Sequence, residues 1–105
     1  MIVNAMRGEV EIALNGDVHI ARLTLGALAE LEAMLGTTSL IELAGRFEEG
    51  RFSAADVVAV LVAGLRGGGW RGTSADLLST DLSGGPVAAA QAAARLLALA
   101  FAMPD

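Results

Sequence analysis

Cysteine and lysine are both missing from this chain of 105 residues, and each absence closes off a kind of chemistry. Without cysteine there is no disulfide, no thiolate nucleophile and no cysteine-based zinc site, a composition that fits a reducing compartment. Without lysine there is no Schiff-base nucleophile and no P-loop lysine. All seven basic residues are scattered arginines, set against twelve acidic residues for a formal charge of −5. Nucleic-acid binding needs clustered positive charge to displace counterions, so no nucleic-acid partner is expected. The region from Met1 to Met6 lacks the charged start and apolar run of a secretory signal.

Apolar residues are what the chain has in plenty. They make up 54% of it, much of that alanine, where soluble domains carry roughly 45–50%. A chain of this length forms one domain, residues 1–105. It buries roughly two-thirds of its unfolded surface, enough to fold without staples. So small an interior cannot hold every Leu, Val and Met, and some apolar surface should face a partner or another copy. The Pro86–Met103 stretch has the length of a membrane span. It is mostly alanine, carries Gln91 and Arg95 centrally and has no basic flank, so no membrane crossing is expected.

Periodicity predicts an α+β fold, mainly α: a lead-in over 1–7, a β-hairpin over 8–23 and a bundle of about five helices over 24–103. Val10, Ile12 and Leu14 alternate with Glu9, Glu11 and Ala13, the pattern of a half-buried strand. Asn15-Gly16 is the type I′ turn signal, and a second strand should run through Leu23. His19, Ala21 and Leu23 fall on one face of it and Ile20 on the other.

Thr24 is placed to cap a first helix, with Leu28, Leu31 and Leu35 as its buried stripe, Ala27 and Met34 at its margins, and Gly36 as its left-handed stop. Ser39 to Glu42 reads as a capping box for a second helix burying Leu40, Leu43, Ala44 and Phe47. Glu48 and Glu49 oppose the dipole at its end, which Arg46 and Arg51 are positioned to offset. Ser53 and Asp56 open a third helix. The run Val57–Val62 is β-branched enough for a strand, but the cap signal and the length to Arg66 favour helix. Its polar side is thin (Asp56, Ala59, Ala63, Arg66), which makes it the central element. Thr73 to Asp76 restarts a short helix to about Leu82, and Pro86 suits the first position of a last helix running to about Ala102.

The motifs yield no catalytic constellation, no metal site and no cofactor site. Gly67, Gly69 and Gly72 satisfy G-x-G-x-x-G, but a helix precedes them and no parallel strand follows. A tight interhelical joint explains them better than a dinucleotide fingerprint. Gly64 and Gly67 match a G-x-x-G loop without the basic surroundings that an RNA-binding loop needs. His19, the one histidine, has neither a base nor further ligands by spacing and reads as a strand surface residue. The pairs Glu9/Glu11 and Glu30/Glu32 read as solvated faces, and Ser53, Ser74 and Ser79 as caps or helix surface. No enzyme activity is expected.

Two places offer partner binding instead. Trp70, followed by Arg71, is either a plug docking its loop onto the core or an exposed anchor of the aromatic-plus-arginine kind. The area an indole buries favours the plug. The last helix puts Leu96, Leu97, Ala100 and Phe101 on one side and Ala88, Gln91, Arg95 and Ala98 on the other. It either closes the bundle or offers a smooth alanine face to another helix. The candidate contact residues are therefore Trp70, Arg71, Gln91, Arg95, Leu97 and Phe101.

The ordered series Gly8-Glu9, Arg22–Glu32, Leu35-Gly36, Arg46-Phe47, Gly50–Ser53 and Leu65–Gly69 resembles one family. This is the small tail-region protein of bacterial gene transfer agents, the phage-like particles of α-proteobacteria, and the similarity runs from about Gly8 to Leu97. The family is related to phage tail assembly chaperones and is sometimes labelled a tail tube protein. A tube subunit needs a sizeable β-sandwich to close a ring of sheets, whereas a chaperone needs a helical body with apolar surface. Composition favours the chaperone. The resemblance thus implies a cytoplasmic, oligomeric protein that shields the tape-measure protein or binds another tail protein. The alternatives are a structural component retained in the phage-like particle and a generic helical interaction domain.

Overall fold

The computed structural model describes residues 4–102. Residues 1–3 of the expected lead-in, and Met103 at the expected end of the bundle, lie outside them. Alternation makes the hairpin: β1 (Glu9–Leu14) and β2 (Asp17–Arg22) pair antiparallel, with Val10 opposite Ala21, Ile12 opposite His19 and Leu14 opposite Asp17. Asn15 (φ 51°) and Gly16 (φ 84°) make the reversal with the positive φ of a type I′ turn. Val10, Ile12, Leu14, Ala21 and Leu23 are buried on the inner face. A 3-10 turn, Ala5–Arg7, precedes the hairpin where sequence suggested only a lead-in.

Five helices follow: α1 (Leu25–Leu35), α2 (Leu40–Glu48), α3 (Ala54–Gly67), α4 (Ser74–Leu78) and α5 (Gly85–Ala100). Their starts obey local capping chemistry. Thr24 Oγ1 accepts from the Ala27 amide at 3.1 Å and Ser39 Oγ from the Glu42 amide at 3.1 Å. Ser53 with Asp56, and Thr73 with Asp76, close reciprocal capping boxes. At Ser39 only the first half of the expected box forms, because the exposed Glu42 side chain makes no return bond.

The β-branched run is helical, as the cap signal indicated, and α3 is the axis of the molecule, touching α1, β2, α4 and α5. Val60, Leu61, Val62 and Leu65 are essentially inaccessible. Each such burial contributes about 1.5–3 kcal/mol of transfer free energy. Ala59 and Ala63, expected on the thin polar side, are buried too, since helices pack around α3 on nearly every side.

The glycines of α3 do more than join helices. A Cβ on Gly67 would strike the Arg22 carbonyl oxygen, and one on Gly68 the Ile20 carbonyl oxygen. A Cβ on Gly64 would fall 2.7 Å from Leu96 Cδ1 and 3.5 Å from Ala21 Cβ. The helix end therefore lies directly on the outer edge of β2. In a two-residue hairpin Leu14 and Asp17 form a hydrogen-bonded pair, so Val18, Ile20 and Arg22 direct their backbone groups outward. The edge of β1 is met by the chain as well. The Asn15 amide donates to the Asp81 carbonyl at 2.8 Å, and the Ser83 amide to the Ala13 carbonyl at 3.2 Å. Leu82 forms an isolated bridge with Leu14. Contact at the Ala13–Asn15 end of β1 and at Ile20 and Arg22 of β2 shortens the template that an open hairpin offers to other chains.

That pairing corrects one boundary. α4 ends at Leu78, not near Leu82, because Asp81, Leu82 and Ser83 are tied to the Ala13–Asn15 end of the hairpin instead of continuing the helix. Smaller departures have similar causes. β2 stops at Arg22, one residue before Leu23, and α5 ends at Ala100 with Pro86 at its second position. Gly36 has the expected positive φ, 66°, but its ψ of −110° lies outside the left-handed helical region. Met34 is 40% exposed, because α1 docks through Ala27 and Leu31 and Met34 falls at the margin of that contact. Arg46 reaches across to Asp56 at 3.4 Å, leaving Arg51 to pair with Glu49 at 2.6 Å. A carboxylate only 8% exposed is a stronger attractor for a guanidinium than two solvated glutamates.

Candidate partner-binding surface

Trp70 follows the Gly67–Gly69 end of α3, and its amide donates to the Leu65 carbonyl at 2.9 Å. Its indole lies over Gly72, where any Cβ would collide with the ring, and it is half-buried against the core. The loop is held further by Arg66, which pairs with Glu30 at 2.6 Å and donates to the Gly72 carbonyl at 3.1 Å. Trp70 is thus both plug and rim. With Val18, His19, Ile20 and the exposed Arg71 it lines an open depression of about 450 Å³. No carboxylate or hydroxyl shares that lining with the His19 imidazole. Among the described residues, Arg71 and Arg95 have no carboxylate within ion-pair distance.

The α5 candidates sit elsewhere. Gln91 and Arg95 are exposed on the outward face of the helix. Leu97 is 2% exposed and belongs to the core, so a partner reaches it only at the floor of a groove. That groove, about 380 Å³ between α2 and α5, runs past Ala44, Phe47, Glu48, Ala94 and Ala98 to the partly exposed Phe101. Trp70 and Arg71 do not join it. The two places expected from sequence stay apart in the fold: Trp70 and Arg71 line one depression, Leu97 and Phe101 the other, and Gln91 and Arg95 line neither.

A third surface escaped sequence reasoning. Two grooves, about 390 Å³ between α1, α3 and α4 and about 310 Å³ between α3, α4 and α5, share Val58 and Leu78 as a common wall. Leu78 is 71% exposed while its neighbour Leu77 is buried. Nothing local marks which of the two adjacent leucines is left out, since on α5 the neighbours Leu96 and Leu97 are both buried. Met34 closes one end of the first groove, and Pro86 and Asp81 border the second. Other exposed apolar residues, such as Leu25 (85%) and Ile41 (79%), line none of these grooves.

Among the described residues no cluster of acidic or histidine side chains is arranged to hold a metal ion, and no helix is long and apolar enough to cross a membrane. Comparison with curated proteins and with solved structures finds no match. The family described as phage tail tube protein, GTA-gp10, matches residues 7–103, nearly the whole of a chain whose described residues form one hairpin and five helices with open apolar grooves between them. The protein belongs to that gene transfer agent tail family.

Proposed function

We propose that the protein is a non-enzymatic tail assembly chaperone, which binds and shields the tape-measure protein as an oligomer in the bacterial cytoplasm. One observation carries this reading. The only sheet among the described residues is a two-stranded hairpin, and its outer edges are met by the chain's own α3 and residues 81–83, while apolar grooves between helices stay open. A subunit that closes a ring of sheets needs wide sheets with free edges, whereas a shield for an apolar partner needs accessible apolar surface on a folded body. The absence of enzymatic chemistry is part of the proposal, supported by a histidine whose depression contains no acid or nucleophile.

The test is capture of tape-measure fragments by the immobilised protein, with light scattering of the free protein to read its oligomeric state. Recovery of a defined fragment is expected. An empty pull-down even at low salt, where weak contacts survive, overturns the reading.

A second reading, favoured by the family's description as a tail tube protein, is a structural component kept in the finished particle. Mass spectrometry of purified particles separates the two. A chaperone is absent from them, and a component is present in fixed copy number.

A further inference from the structure

We infer that the paired groove around Leu78 is the docking site for an amphipathic helical segment with basic flanks, and this rests on the tape-measure reading above. Met34, Val58, Leu61, Leu78 and Pro86 supply an apolar floor and walls across two adjoining depressions of about 390 and 310 Å³. Leu78 leaves 71% of itself in solvent at their junction, apolar area that a docked partner would cover.

Backbone chemistry selects the shape of the occupant. An extended peptide binds by adding to a free strand edge. Here the amides of Thr80, Asp81, Ser83 and Gly85 are already spent on Leu77, Asn15, Ala13 and Leu82. A helix satisfies its own backbone and needs only a groove for its i, i+3, i+4 and i+7 anchors, which the walls of α3, α4 and α5 provide.

Electrostatics selects the flanks. No arginine or histidine lines either depression. Asp81 lines the second, with its backbone fixed to Asn15 and its carboxylate without a hydrogen-bond or ion-pair partner among the described residues. Asp76, whose carboxylate accepts from the Thr73 amide and hydroxyl, lines neither depression, so Asp81 is the one carboxylate facing the groove. A second copy of this chain, pairing through the same groove, would bring no arginine to the Asp81 carboxylate and would set a like charge against it. A lysine or arginine beside the apolar face of a partner helix would meet that carboxylate favourably.

The experiment measures capture of tape-measure fragments by the full chain, alongside Leu78→Glu, Asp81→Lys and Ile41→Glu, with circular dichroism on each. Ile41 is an exposed apolar residue on α2 and serves as the matched control. Leu78→Glu is expected to weaken binding by about tenfold or more and Asp81→Lys by about threefold or more, with Ile41→Glu unchanged. If the unaltered protein captures fragments and Leu78→Glu captures them equally, the groove assignment is wrong and the chaperone reading stands. If the unaltered protein captures nothing, both fall. If Leu78→Glu converts a dimer to a monomer without changing capture, the groove holds a second copy and the inference is overturned.

Discussion

Replacing Gly67 by alanine tests whether the end of α3 rests on the backbone of β2. The new Cβ would overlap the Arg22 carbonyl oxygen and stand 3.1 Å from Ala27 Cβ. A flexible side chain could move aside, but this carbonyl is held in a strand and the strand is held in a hairpin. Overpacking of this kind costs about 1–3 kcal/mol, with backbone obstacles at the upper end. Alanine recovers at most about 1 kcal/mol of helix propensity, and less at the last helical residue. The net expectation is a loss of about 2 kcal/mol. With a urea slope of about 1 kcal/mol per molar for a domain this size, the midpoint should fall by about 2 M. Gly45, inside α2 with nothing within 4 Å of its virtual Cβ, is the internal reference. There the same substitution should stabilise by about 0.5–1 kcal/mol. Urea melts of the two variants beside the parent decide the matter. If Gly67→Ala is as stable as Gly45→Ala, the helix end does not press on the strand and the account of the glycine run fails.

Three further outcomes follow from the same packing. Leu65→Ala removes a fully buried side chain beside the Trp70 loop and should cost about 2–5 kcal/mol, read by thermal melting. Asp56→Ala removes both the Ser53 cap bond and the partner of Arg46. It should cost about 1–3 kcal/mol in chemical denaturation, with Asp56→Asn losing less because the amide oxygen can still accept from the Ser53 amide. Gly16→Val places a β-branched residue at φ 84° and should lower stability by about 1–2 kcal/mol, while Gly16→Asn should be milder; paired urea titrations reveal the order.

The candidate surface was legible only in part. Trp70 stood out because a single indole between a glycine and an arginine has few explanations, and the fold gives it both roles, ring against the core and rim of a depression. Leu97 was grouped with Phe101 by helical spacing, yet α2 covers one far more than the other. Leu78 was not legible, because a helix expected to run to about Leu82 does not say which of Leu77 and Leu78 meets the core.

What the sequence determined by itself are the features whose causes lie within a few residues. The Asn15-Gly16 reversal, the alternation of β1, and the caps at Thr24, Ser39, Ser53 and Thr73 are all of this kind. Each depends on a side chain bonding a nearby amide or on the φ a residue tolerates, and neither needs to know what the rest of the chain does. Tertiary structure decided the rest. Asp81 bonds to Asn15 across 66 residues of sequence and so ends α4 early. Gly67 and Gly68 are required by a strand more than forty residues before them, and Arg46 turns from its own helix end to a buried Asp56. Burial and close approach are properties of which segments meet, and only the folded chain fixes which of its many apolar residues are covered and which, like Leu78, are left to a partner.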